Sequence, residues 1–249
     1  MAGHSKWANI KHKKGANDKR RGKLWSKLSR NIIVAAKTGG GDPASNLALR
    51  YAIDKAKEAN MPNDTIDKAV KKGTGELGAE QYQSATYEGY GPGGVAIIVD
   101  ALTDNPARTA PEMKKTFERG GGNLGQPNCV SWNFLTKGVF TVNAADTSED
   151  CLMEVVLDAG GEDVVLDEDV FEVTCDVTAY DAVGKALKAA KIETRSAEIT
   201  KIPGTRVTVD ADTADRVLKM IEAFEDNDDV QQVYHNLELT DELMARIGG

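Results

Sequence analysis

The sequence predicts an α+β protein with an N-terminal three-helix bundle and two ferredoxin-like α/β domains, one inserted in the other. Three observations predict it. Apolar residues recur at helical spacing from Asp18 to Gly73. Beyond Gly75 and Gly78 the pattern changes to short β-branched runs alternating with helical stretches, which points to mixed sheets with helices packed on them. Residues 137 to 202 spell one complete βαββαβ unit, a ferredoxin-like fold in itself. The flanking pieces, 85 to 134 and 205 to 238, supply a second such unit interrupted by the first. The expected organisation is a basic arm at 1–17, a helical bundle at 18–78, a discontinuous α/β domain at 79–135 and 204–240, and an inserted domain at 136–203.

The first helix is expected from Asp18. At 100° per residue Leu24, Trp25, Leu28, Ile32, Ala35 and Ala36 share a stripe, with Lys19, Lys23, Arg30 and Lys37 opposite, so the apolar face can dock while the basic face stays in water. Asn17 or Asp18 can cap its start and Gly39 its end. Trp25 lies on the apolar stripe and reads as core. Asp42-Pro43 spells an N-cap with proline at the first helical position, opening a second helix that runs to about Ala59. Asn63 caps a shorter third helix through Ile66 and Val70 to Gly73, and 74–80 reads as a linker.

In the sheet domains, Val95 to Val99 is a strand bounded by glycines and Pro106 to Arg119 is a helix. Gly138 to Val142 is a strand, followed by a helix near Ser148 to Ala159 and strands near Val164 to Leu166 and Val170 to Thr174. A helix near Ala179 to Ala190 and a strand near Ser196 to Ile202 complete the inserted unit. A strand at Arg206 to Val209, a helix from Ala214 to Phe224 and a strand near Gln231 to Tyr234 return to the first domain.

Charge is sharply segregated. Met1 to Lys37 holds eleven Lys or Arg against one acid, Asp18. Residues 1–72 carry 17 basic and 6 acidic side chains, a net +11, whereas 73–249 carry 14 basic and 33 acidic, a net −19. Lysine and arginine displace counterions condensed on a nucleic-acid backbone, and an acidic body is repelled from it, so such a molecule would meet phosphate with one end only. Lys6, Lys11, Lys13 and Lys14 are interleaved with His4, Trp7, Asn9 and His12 in a run without apolar periodicity. It cannot bury a core, and it offers point charges, hydrogen-bonding groups and one stacking surface: a mobile nucleic-acid-binding arm. A solvated tail that touches nothing is the alternative. The candidate nucleic-acid-binding residues are Lys6, Trp7, Lys11, His12, Lys13, Lys14, Lys19, Arg20, Arg21, Lys23, Lys27 and Arg30.

Other classes find less support. No apolar run approaches 18 residues, so no membrane partner is expected, and without a secretory leader the cytoplasm is the default compartment. Cys129, Cys151 and Cys175 are odd in number and widely spaced, which suits neither a disulfide framework nor a zinc site. Two segments match the G-x-G-x-x-G spelling: Gly89, Gly91 and Gly94 in GYGPGG, and Gly120, Gly122 and Gly125 in GGGNLG. A dinucleotide loop needs a strand before it and a helix N-terminus after it, and neither segment has that context, so both read as turns. Two of the three histidines lie in the arm, and His235 has no Ser or Cys partner that the sequence can identify. The acidic run Glu222, Glu225, Asp226, Asp228, Asp229 lacks the Gly and terminal Glu of a calcium loop and reads as a solvated helix end. No catalytic residue, metal or cofactor is expected.

MAGHSKWANIKHKK, the RGKLWSKL helix, YEGYGPGGVAIIVDALTDNPART and GGNLG with the following VSWNF resemble the YebC/PmpR family over essentially the whole chain. The resemblance implies a three-domain, non-enzymatic, cytoplasmic protein of the architecture above. The family is described as DNA-binding transcriptional regulators, and relatives including mitochondrial ones are associated with translation on ribosomes that elongate difficult sequences such as proline runs. Two departures stand out: Asn128 replaces a glycine after GGNLG-x-x, with Cys129 where many members have Ser, and Pro106 interrupts TDN-x-N-RT. Asn tolerates positive φ, so the turn should survive; Arg108 and Thr109 remain available for polar contacts. Two partners therefore stay open for a monomeric chain: DNA, which requires base-edge contacts, and ribosomal RNA or the ribosome, read by shape.

Overall fold

The computed structural model describes residues 18–78, 81–240 and Leu243, with the side chains of Asp18, Lys19 and Arg20 outside that description. Its described part divides into two compact units, one drawn from residues 15–129 and 211–235 and the other from 130–210 and 236–249.

The first unit begins with three helices: α1 (Asp18–Gly39), α2 (Leu47–Glu58) and α3 (Asn63–Gly73). Leu28, Ile32, Ile33 and Ala36 of α1 bury against Leu49 and Ala56 of α2 and against Met61, Ile66 and Ala69. Leu28, Ile32 and Ala36 are on the stripe that the periodicity marks and Ile33 is not, whereas Leu24, expected on that stripe, is exposed. Trp25 packs on the edge of the cluster and donates its indole N–H to the Ala59 carbonyl at 3.0 Å, which satisfies the one polar atom of a ring otherwise suited to a core. The start of α2 differs from expectation. Asp42 closes a turn, accepting from the Ala44 N–H at 2.9 Å, and the helix begins only at Leu47, capped by Asn46 through the Leu49 N–H at 3.1 Å. Asn46 also donates to the carbonyls of Ala35 and Gly40, both at 2.8 Å, so one buried side chain caps α2 and ends α1. Asn63 is the first residue of α3, and no side chain caps that helix.

The same unit holds a four-stranded antiparallel sheet made of β1 (Gln83–Tyr90), β2 (Ala96–Thr103), β3 (Asn123–Leu124) and β8 (Val230–His235), in the order β3-β1-β2-β8. Helices α4 (Pro106–Arg119) and α7 (Ala211–Glu225) belong with it. Phe117 and Phe224 meet edge to face at 4.7 Å, and Met113, Val217 and Ile221 are fully buried with them. The strand β1 has no sequence counterpart: QSATYEGY is mostly polar and is held by pairing every residue with β2. The strand expected at Arg206 to Val209 does not enter this sheet; Val207 makes an isolated parallel bridge to Leu237 instead.

The second unit carries the βαββαβ order read from the sequence: β4 (Phe134–Asn143), α5 (Glu149–Asp158), β5 (Gly161–Asp167), β6 (Val170–Cys175), α6 (Tyr180–Ala189) and β7 (Thr194–Pro203). Its sheet runs β5-β6-β4-β7, all antiparallel. Tyr180 stacks on Phe140 at 4.7 Å, and Leu152, Val156, Val183 and Leu187 complete the core. Asn133, buried just ahead of β4, exchanges two 2.9 Å hydrogen bonds with the Thr205 backbone and so ties the entry of the inserted chain to its exit.

Candidate nucleic-acid interface

Of the twelve residues proposed from sequence, Lys6, Trp7, Lys11, His12, Lys13 and Lys14 lie outside the described residues. Lys19 and Arg20 fall in the first turns of α1. Arg21 is exposed, with its guanidinium 5.5 Å from the Trp25 ring centroid, a cation–π contact that turns the charge along the helix.

The remaining three follow a rule that the sequence does not show. Lys23, Lys27 and Arg30 are spaced i, i+4, i+7 and therefore line one face of α1. That face meets the C-terminal end of α7. Lys23 Nζ donates to the Asp226 carbonyl at 3.0 Å and to its carboxylate at 3.4 Å, and Lys27 Nζ donates to the Glu225 carbonyl at 2.6 Å. Arg30 donates to the Asp228 carbonyl and, at 3.0 Å, to Asp229 Oδ1, while its guanidinium lies 5.4 Å from the Tyr82 ring centroid. A helix C-terminus presents unpaired carbonyls and the negative end of the macrodipole, so cations are held there beyond any side-chain pairing. The basic face of α1, expected to stay in water, is thus partly docked.

Asp229 anchors this contact. It is 3% exposed, and its Oδ2 accepts from Arg108 Nη2 at 2.6 Å, Thr109 Oγ1 at 2.7 Å and Thr103 Oγ1 at 3.2 Å, while Oδ1 takes Arg30. Burial alone would push the carboxyl up, but the hydrogen bonds from Arg108, Thr109 and Thr103 and the Arg108 charge outweigh it, leaving it below the usual carboxylate range. A buried carboxylate with several donors and two arginines is the arrangement under which a charge survives without water. Thr103, Arg108 and Thr109 all come from the TDNPART segment, so Arg108 and Thr109 make the polar contacts for which they remained available, and the helix starts at Pro106 with Asn105 as its cap.

Both glycine segments are turns. GYGPGG joins β1 to β2 through a short 3-10 turn at Pro92–Gly94, and GGGNLG leads from α4 into β3. They lie side by side, with Gly89 opposite Leu124 and Tyr90 opposite Asn123. A Cβ on Gly122 would sit 2.2 Å from the Tyr90 carbonyl, and one on Gly89 2.3 Å from that of Asn123, so the spelling reflects strand packing. Asn128 has φ +66 and donates its N–H to Glu88 Oε1 at 2.9 Å, and the turn survives the loss of glycine as expected. The Cys175 thiol is pushed up to about 11, chiefly by burial and also by Glu162 and Asp176, which suits a packed side chain and not a nucleophile. No helix among the described residues is long and apolar enough to cross a membrane.

Comparison with known proteins places these elements in one family frame. Residues 5–76 match the TACO1/YebC protein N-terminal domain, and residues 82–237 match the TACO1/YebC second and third domain. A probable transcriptional regulatory protein from Maridesulfovibrio salexigens is 50% identical over 247 residues, 99% of each chain. Another so named, from Halothermothrix orenii, is 50% identical over 250 residues, again 99% of each chain. A crystal structure of a conserved hypothetical protein from Aquifex aeolicus is 45% identical, with a TM-score of 0.80 over 89% of this chain and 91% of that one.

Proposed function

The chain belongs to the TACO1/YebC family, and from that premise we propose that it regulates gene expression by binding nucleic acid through its basic N-terminal segment, without catalysis. The observation that carries this reading is the charge asymmetry: eleven basic residues against one acid in the first 37, on a chain whose remainder from Gly73 carries −19. Relatives bearing the name probable transcriptional regulatory protein support a regulatory role, and DNA is the partner that this name suggests. Phosphate contacts fall to Lys6, Lys11, Lys13, Lys14, Lys19, Arg20 and Arg21, with His12 donating and Trp7 stacking. Lys23, Lys27 and Arg30 form a second tier, since each is hydrogen-bonded to the C-terminal end of α7 or the turn after it.

That second tier favours a further reading. A helix that reads base edges must present its polar face to a groove, and three basic side chains of α1 are turned to α7. What remains is a segment that supplies phosphate affinity with little base readout, which suits ribosomal RNA, whose single-stranded junctions let Trp7 stack. A competition titration at fixed physiological salt separates the two: labelled ribosome is displaced by random duplex, promoter duplex and free ribosomal RNA, with wild type and Trp7→Ala. A regulator acting by promoter choice should prefer its site over random duplex by at least ~10³. Discrimination among duplexes well below that value, with retention on ribosomes weakened by Trp7→Ala, would assign the action to translation. Displacement by one promoter duplex alone would assign it to transcription, and failure to bind any of these would refute nucleic-acid binding itself.

A further inference from the structure

The acidic turn after α7 lies against α1 as a polyanion would. Over five residues, Glu225 to Asp229, it offers the carbonyls of Glu225, Asp226 and Asp228 and the carboxylates of Asp226 and Asp229 to Lys27, Lys23 and Arg30. The contact is graded. At one end Arg30 is half-buried and Asp229 buried, with side chains 17% and 5% exposed; at the other, Lys23 and Asp226 are 37% and 83% exposed. A more buried, multiply bonded pair resists exchange, whereas an exposed pair contributes little and is open to competition.

Resting on the nucleic-acid reading above, we propose that the 225–229 turn is an autoinhibitory phosphate mimic: it occupies Lys23 and Lys27 in the free protein and must yield them before α1 can engage nucleic acid, while Arg30 stays fixed to Asp229. The device screens out weak polyanions. A lysine that trades a carboxylate for a phosphate leaves that carboxylate unpaired beside the nucleic acid, where its salt-screened repulsion offsets part of the gain and part of its salt dependence. Removing the carboxylates removes that offset. Binding then both tightens and becomes steeper in salt, by up to about 0.7–0.9 in the log–log slope for Lys23, whose partner is the Asp226 carboxylate; Lys27 holds the Glu225 carbonyl, which the change leaves in place.

The test uses the full chain and a random-sequence 20-base-pair duplex, titrated across a salt series. Asp226→Asn with Asp228→Asn removes two exposed charges of the turn, and Glu118→Gln with Asp215→Asn removes two exposed charges elsewhere in the same unit. The turn variant should bind at least about threefold tighter than this charge-matched control, with a steeper slope, and adding Lys23→Gln and Lys27→Gln should abolish the gain. As a second readout, lysine side-chain NMR signals of the wild-type protein should report Lys23 and Lys27 leaving the turn when duplex is added. Equal affinity and slope in the turn variant and the control, or lysine signals unmoved by bound duplex, would overturn the mimic while leaving nucleic-acid binding intact. The same series is run with ribosomal RNA, where equal affinity and slope in the turn variant and the control would equally overturn the mimic, and absence of binding to both duplex and ribosomal RNA by wild type and variants alike would refute the underlying reading.

Discussion

Asp229 shows how one residue can be decided by its surroundings. It is almost wholly withdrawn from water, yet two arginines and two threonine hydroxyls keep it ionised. Removing one partner of such a set leaves charges uncompensated, so Asp229→Ala should destabilise the first unit by about 3–5 kcal/mol. Its acid dependence follows from the lowered pKa. The folded form is ionised more readily than the unfolded one, so the stabilisation is fully present above the ordinary carboxylate value of ~3.9 and is lost as pH falls through the lowered folded value. In urea unfolding the advantage of wild type over Asp229→Asn should therefore hold from pH 7 to about 4 and shrink below it; a gap independent of pH would show that the carboxylate charge is not its source. Little of this was legible beforehand. Arg108 and Thr109 stood out as polar residues of a family-like segment, but among five acids in eight positions nothing marks Asp229 as the one that turns inward.

At the level of elements, α1 was legible on its apolar side and misleading on its basic side. Periodicity identifies Leu28, Ile32 and Ala36 as core, because burial of a stripe leaves its mark every third or fourth residue. Lysines carry no such mark: a docked lysine and a solvated one are spelled alike, and only the α7 terminus distinguishes Lys27 from Lys37. The inserted βαββαβ unit is legible nearly element by element since β4 and β6 hold apolar runs and its helices are amphipathic, whereas β1 is not, being polar and dependent on β2 for its register. The glycine segments test the packing account directly. Gly122→Ala should cost about 1–3 kcal/mol, since the added methyl meets the Tyr90 backbone and cannot be accommodated by a rotamer change. Gly22→Ala in α1, with open space around it, should instead stabilise by up to about 1 kcal/mol. Thermal melts of both variants decide this, and millimolar NAD, ATP or GTP should leave the wild-type midpoint unchanged. A dose-dependent rise with one nucleotide would mean that the paired turns cradle a ligand.

On the scale of the whole molecule, the functional signal is the distribution of charge along the chain. Residues 130–210 hold 16 acids against 7 bases, the reverse of the first 37. This was fully legible in the sequence, because net charge needs no fold to be counted. Which basic residues are already engaged was not, because intramolecular pairing depends on elements two hundred positions apart, such as Lys23 and Asp226. On the proposed reading, the basic N-terminal segment gains from releasing counterions while the acidic remainder of the chain is repelled by phosphate. The most direct test is to measure nucleic-acid affinity across a salt series for the full chain and for one lacking Met1 to Lys14, with the fold of each checked by its thermal melt. Loss of Lys6, Lys11, Lys13 and Lys14 should weaken binding strongly and flatten the log–log salt slope by roughly 3, at about 0.7–0.9 for each phosphate contact removed, with the melt unchanged. Unchanged affinity and slope in the shortened chain would contradict the account and reduce the N-terminal segment to a solvated tail.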